Sequence, residues 1–188
     1  IHSAFFDYDK DGDLDCYILN NSFRNVGAYD LIEGQRKIPD PDGQGNKFFE
    51  NVGDKFIDVT QKVNIFSSNI GFGLGITLSD FNNDGWTDLF ISNDFFEKDY
   101  LYINNKDKTF SENSSKYFKS MSLGSMGADS ADLDNDLLTD LFVTEMLPKS
   151  LERKKTKAVY DSWDKHQLAV SKGYYYQYPR NVLQRNYG

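Results

Sequence analysis

Asp80-Phe-Asn82-Asn-Asp84-Gly85-Trp86-Thr-Asp88, followed at once by Leu89-Phe-Ile-Ser92, decides how this chain folds. Oxygen-bearing side chains stand at loop positions 1, 3, 5 and 9, and a glycine stands at position 6. Such a loop can surround a hard cation with its side-chain oxygens and the carbonyl of position 7, provided the backbone turns sharply at position 6. Glycine meets the least steric resistance there. The run behind the loop is short, apolar and rich in β-favouring residues, so it is expected to be a strand. A cation-binding turn that leads straight into a strand predicts a β-hairpin.

Two more copies surround this one. Asp7-Tyr-Asp9-Lys-Asp11-Gly12-Asp13-Leu-Asp15 precedes Cys16-Tyr-Ile-Leu19, and Asp132-Leu-Asp134-Asn-Asp136-Leu137-Leu138-Thr-Asp140 precedes Leu141-Phe-Val-Thr144. The candidate ligands of the first loop are Asp7, Asp9, Asp11, the Asp13 carbonyl and Asp15. Those of the second are Asp80, Asn82, Asp84, the Trp86 carbonyl and Asp88. Those of the third are Asp132, Asp134, Asp136, the Leu138 carbonyl and Asp140. All are oxygens on a flexible turn, which fits Ca2+, up to three ions, better than Mg2+ with its near-octahedral demand. Zinc would want His or Cys nearby. An EF-hand begins with the same pattern but needs a bidentate Glu at position 12 and flanking helices. Position 12 here is Ile18, Ile91 or Val143. An empty loop crowds its carboxylates, at up to a few kcal/mol per close pair at intermediate dielectric, so the ion is expected to pin the hairpin. Leu137 replaces the loop glycine in the third copy, and a left-handed non-glycine residue costs roughly 1–2 kcal/mol. The first loop, with Gly12 and four carboxylates, is expected to bind best.

The matching extends beyond the loops. Gly75 and Gly127 each stand five residues before a first Asp, and Asn46-Lys-Phe-Phe-Glu-Asn51 with Phe56 parallels Asp99-Tyr-Leu-Tyr-Ile-Asn104 with Phe110. Asn181-Val-Leu-Gln-Arg-Asn186 starts the pattern a third time. One repeat therefore predicts four strands: a Gly-rich strand into the loop, one out of it, a strand ending in Asn, and a Phe-centred strand such as 55–60. Roughly 50 residues per four-stranded unit falls within the period of a β-propeller blade. The fold class predicted is all-β: a propeller fragment of about three blades, near 1–64, 65–117 and 118–188. Insertions are expected at about 22–45, a surface loop, and 147–178, a helix running from Pro148 toward Gly173. Three blades are too few to close a propeller, so the chain reads as part of a larger one, with strand edges left exposed.

Composition narrows the function classes. With 188 residues, 39% hydrophobic and 15% aromatic, the chain can build a sizeable core. Its formal charge of −8 is mostly loop chemistry, since three bound Ca2+ would reduce it to −2. Without a dominant basic face, nucleic acid is an unsuitable partner. No apolar run approaches the ~20 residues of a membrane span, and no signal or lipidation motif is visible. The lone Cys16 is expected to be a small buried hydrophobe.

The three loops, the Gly71-Phe-Gly-Leu-Gly75 entry to the second and strands of the Leu101-Tyr-Ile-Asn104 type resemble the FG-GAP/VCBS repeat family, calcium-loop β-propellers best known from integrin alpha-subunit headpieces. Glu145-Met-Leu-Pro148, the helical insertion and Tyr178-Pro-Arg-Asn-Val-Leu-Gln-Arg-Asn186 look like the bacterial secreted branch that often carries an ASPIC/UnbV module. The resemblance implies a calcium-dependent scaffold for adhesion, glycan binding or enzyme support; the fold alone does not choose among them.

No catalytic constellation competes with this reading. His2 and His166 lack a paired nucleophile, the loop carboxylates are claimed by metal, and no nucleophile elbow, phosphate loop or zinc motif is present. The Gly71–Gly75 stretch is expected to serve close strand packing. The basic segment Lys149–Lys157 offers a docking site for an acidic partner or anionic glycan, but reads first as a solvated helical face. Tyr174-Tyr-Tyr-Gln-Tyr178 offers either stacking platforms for a ligand or packing for the insertion, and Trp86 is expected to project toward a neighbouring blade or a ligand. The function expected is a non-enzymatic, calcium-binding, extracellular or cell-surface propeller that binds protein or glycan. The alternatives are a non-catalytic part of a polysaccharide-active enzyme, or a subunit of a surface complex joined through the 148–178 insertion.

Overall fold

The computed structural model describes residues 2–21, 43–68, 70–157 and 163–188. Strands β1 (His2–Phe6), β2 (Asp15–Leu19), β3 (Lys47–Asn51) and β4 (Phe56–Asp58) form a four-stranded antiparallel sheet in sequence order. Strands β5 (Gly73–Ser79), β6 (Asp88–Asn93), β7 (Tyr100–Asn104) and β8 (Phe110–Glu112) repeat it. After a single-turn helix α1 (Ser114–Tyr117) and a short strand β9 (Met121–Ser122) come β10 (Gly127–Ala131) and β11 (Asp140–Thr144). The insertion supplies α2 (Leu151–Lys157) and α3 (Trp163–Ser171), then β12 (Gln177–Tyr178) and β13 (Val182–Gln184). The third sheet has the order β10-β11-β13. The architecture is all-β and propeller-like, with each predicted loop joining the first two strands of its sheet. Registry is identical in all three: Phe6 opposite Asp15, Ser79 opposite Asp88, and Ala131 opposite Asp140.

The middle sheet shows why the pattern folds this way. Its strands β6 and β7 are buried along their whole length, and period-2 alternation sends their residues to opposite faces. Leu89, Ile91, Tyr100 and Tyr102 enter a core with Phe6, Tyr8, Tyr17, Leu19 and Phe48 of the first sheet. Phe90, Leu101 and Ile103 enter a second core with Phe118, Met121, Leu141, Val143 and Val182. The outer faces of the flanking sheets are more open, with Phe5 and Phe56 near half exposed on one side and Phe142 and Leu183 on the other.

The glycines of β5 permit the close approach of sheets that their spacing implies. A Cβ on Gly73 would lie 2.2 Å from Leu19 Cδ1, and one on Gly75 would lie 3.3 Å from Gly127 Cα of the next sheet. Thr77 adds a hydrogen bond from Oγ1 to the Ala128 carbonyl, 2.9 Å long, across the same junction.

Two expectations are amended. The insertion carries two described helical segments, and helix α2 begins beyond Pro148, where the Ser150 hydroxyl accepts the Arg153 N–H at 3.2 Å and caps the first turn. Gly173, at φ +87°, ends α3 as expected. The parallel pairing of β12 with β9 was not anticipated; two-residue strands leave no periodic signal. The expected surface loop at 22–45 falls largely on residues 22–42, outside the described residues. Among the described residues, no helix is long and apolar enough to cross a membrane.

Candidate metal centres

All three loops share one backbone scaffold. The position-1 carboxylate accepts two N–H groups from positions 5 and 6: Asp7 from Asp11 and Gly12 at 3.2 and 3.1 Å, Asp80 from Asp84 and Gly85 at 2.9 and 2.6 Å, Asp132 from Asp136 and Leu137 at 3.1 and 3.0 Å. The position-5 carboxylate accepts the N–H of position 7, from Asp13, Trp86 or Leu138. Position 6 is left-handed in every copy, at φ +96° for Gly12, +86° for Gly85 and +69° for Leu137. The third loop therefore adopts the same turn despite lacking glycine. Position 4 is left-handed too, at Lys10, Asn83 and Asn135.

The position-9 aspartates are the most buried members, at 1%, 0% and 2% exposure for Asp15, Asp88 and Asp140. Each spans from its loop to the end of the third strand. Asp15 accepts Tyr8 and Asn51 N–H groups, Asp88 accepts those of Phe81 and Asn104, and Asp140 accepts those of Leu133 and Asn186. Burial pushes the carboxyls of Asp15 and Asp88 up to about 6, against the pull of those N–H donors. In the first loop, loss of water and then the neighbouring charges of Asp11, Asp9 and Asp7 push the Asp13 carboxyl up.

Among the described residues, two sets of three carboxylates bring one oxygen each within 4.8 Å of one another: Asp7, Asp9 and Asp15, and Asp132, Asp134 and Asp136. The second loop is not among these sets. Asn82 there donates through Nδ2 to Asp84 Oδ2 at 2.8 Å, and Lys106 pairs with the same oxygen at 3.2 Å. The donor set in all three is hard oxygen, and Asp13 Oδ1 is buried without a hydrogen-bond partner. These features fit a hard divalent cation, which would be held by the side-chain oxygens at positions 1, 3, 5 and 9, with the Asn82 amide oxygen in place of a carboxylate in the second loop, and by the carbonyl of position 7.

The asparagines that end the third strands were legible only as repeat markers, yet they do structural work at the sites. Asn104 Nδ2 donates to the Tyr8 carbonyl of the previous loop at 2.8 Å, and Asn186 Nδ2 donates to the Phe81 carbonyl at 2.8 Å. Each also reaches the position-8 carbonyl of its own loop, Thr87 or Thr139, as Asn51 reaches Leu14. One side chain thus joins two successive loops. Trp86 likewise meets the preceding loop, with Lys10 Nζ 4.4 Å from its ring centroid.

Residues 80–143 match the family model of the FG-GAP-like repeat. The matched segment begins at the second loop, covers β6 to β8 and ends within β11, so it spans two successive candidate sites. No curated protein matches the chain.

Elsewhere, Cys16 is buried and unpaired as a thiol. Tyr174 is buried, and Tyr175 donates through its hydroxyl to the Phe118 carbonyl at 2.7 Å, so these two pack the insertion against its blade. His166 lies between the Trp163 and Tyr178 rings, at centroid distances of 5.6 and 5.1 Å. Those three, with Phe96, Lys165 and Gln177, line a cleft of about 420 Å³. His2 is exposed on β1.

Proposed function

We propose that the chain is a calcium-stabilised β-propeller module that binds a protein or glycan outside the cell. The observation that carries this is the threefold recurrence of one loop scaffold, in which a run of acidic and amide side chains ends on a buried aspartate tied to the third strand of its blade. An ion bound there neutralises charge that the turn otherwise concentrates, and it fixes the position-9 aspartate that holds the blade together. Calcium is therefore structural in this reading. Every position-9 carboxylate oxygen is already engaged by backbone N–H groups, and among the described residues no imidazole stands beside a loop to act as a base.

Loops with this ligand set fit micromolar-to-millimolar affinity, which a calcium-rich extracellular medium would keep filled. The resemblance of Glu145–Pro148 and Tyr178–Asn186 to the secreted bacterial branch with an ASPIC/UnbV module supports the same location. The aromatic cleft beside α3 is a suitable place for a protein or glycan contact, because ring faces offer area at low entropic cost.

A thermal melt of the purified chain in Ca2+, in Mg2+ and in chelator tests the proposal. Calcium is expected to raise Tm by several degrees more than magnesium at equal concentration, since saturation at 100 times Kd contributes about 2.7 kcal/mol per site. Equal melting in all three media would reduce the loops to Asx-rich turns and remove the argument for an extracellular location.

A further inference from the structure

A basic side chain pairs with a candidate ligand in every loop: Lys108 with Asp9, Lys106 with Asp84 and Arg185 with Asp134. Lys108 differs from the other two because it comes from the neighbouring blade. It lies in the turn between β7 and β8, and its ammonium sits 2.5 Å from Asp9 Oδ2 in the first loop and 3.2 Å from Glu50 Oε1 on β3. The Asp9 side chain is 1% exposed, whereas Lys108 is about half exposed.

Asp9 holds loop position 3. Its Oδ1 already accepts the Asp11 N–H at 3.2 Å, so Oδ2 is the oxygen best placed to face an ion, and that is the oxygen the ammonium takes. An ion and an ammonium cannot both occupy one buried carboxylate oxygen without strong repulsion. We infer that Lys108 is a tethered competitor of the metal at the first loop, neutralising Asp9 in the ion-free protein and yielding it when calcium enters.

Glu50 makes the exchange feasible. After Asp9 turns to the ion, Lys108 keeps a carboxylate partner in Glu50 and is not left with an unpaired charge. The arrangement has two consequences. The first loop binds calcium more weakly than its four carboxylates imply, and its occupancy releases a contact that links the second blade to the first. Lys106 and Arg185 act within their own blades and lack the second feature.

This inference rests on the reading of the loops as calcium sites, and the test separates the two. In the full chain, CaCl2 is titrated while the amide resonances of Gly12 and Gly85 report the first and second loops separately. Lys108→Met keeps the aliphatic stem and removes the charge. It is expected to lower the calcium midpoint at Gly12 by about fivefold, the upper range for a partly exposed ion pair, and to leave the Gly85 midpoint unchanged. The ion-free variant is expected to melt below the wild type.

Lys10→Met is the matched control, because Lys10 occupies position 4 of the same loop but lies over the Trp86 ring. It removes the same charge from the neighbourhood without freeing the Asp9 oxygen, so its Gly12 midpoint is expected to move less. A Lys108→Met midpoint that is unchanged, raised, or shifted no further than that of Lys10→Met overturns the competitor role while leaving calcium binding intact. If neither glycine in the wild type responds to CaCl2, the calcium reading itself falls, and the inference with it.

Discussion

Leu137 carries a cost that the glycines at position 6 of the other two loops, Gly12 and Gly85, do not. It is 84% exposed and held at φ +69°, so its side chain contributes little packing while its backbone bears the strain of a left-handed L-residue, roughly 1–2 kcal/mol. Leu137→Gly relieves that strain but adds freedom to the unfolded chain, which returns about 0.5–1 kcal/mol. The net expectation is a gain of up to about 1 kcal/mol, or a Tm higher by about 2–4 °C for a chain of this size. The reverse change at Gly12 or Gly85, to Leu, is expected to lower Tm. Circular-dichroism melts of the three variants check the sign; a Leu137→Gly variant that melts lower would mean that the leucine makes a contact worth more than the strain.

At the scale of the element, the end of the third strand holds each hairpin in place. Asn104 is 2% exposed; its Nδ2 caps the Tyr8 carbonyl and its Oδ1 accepts the Lys106 N–H at 2.9 Å. Asn104→Ala leaves both backbone groups without partners, and burying unpaired polar groups costs 1–3 kcal/mol each. A loss of about 2–3 kcal/mol is expected in urea unfolding, whereas Asn105→Ala, at the exposed neighbour, should stay within about 0.5 kcal/mol. Equal effects would show that the clamp between loops contributes nothing special. The same elements show what the sequence made legible. The loops, their hairpins and the Asn-ended strands follow from local spacing, because each motif is contiguous and its chemistry repeats. The clamps are not legible, since Asn104 meets Tyr8 only after two blades pack. Lys108 escapes for the same reason, and the left-handed position 4 had only the weak hint of Asn83 and Asn135.

Across the whole molecule, the junction between the second and third blades depends on a buried acid outside the loops. Asp99 follows β6, accepts the Asn93 N–H at 2.8 Å, and receives the Ser125 hydroxyl at 2.8 Å from the segment that leads into the third blade. Burial pushes its carboxyl up to about 7, against the pull of those two hydrogen bonds and of Lys98. The unfolded value lies near 3.9, so the folded state holds this proton more tightly. The resulting stabilisation is fully present below the unfolded value and is lost as pH rises through about 7. Near pH 8 folding must bury the charge. Asn at this position keeps an acceptor for the Asn93 N–H and brings no charge, so Asp99→Asn is expected to melt above the wild type at pH 8, with the difference shrinking toward pH 5. Melts in chelator at both pH values isolate this group from calcium. A constant difference between the two proteins across that window would mean that Asp99 stays ionised at the blade junction, with the hydrogen bonds outweighing burial.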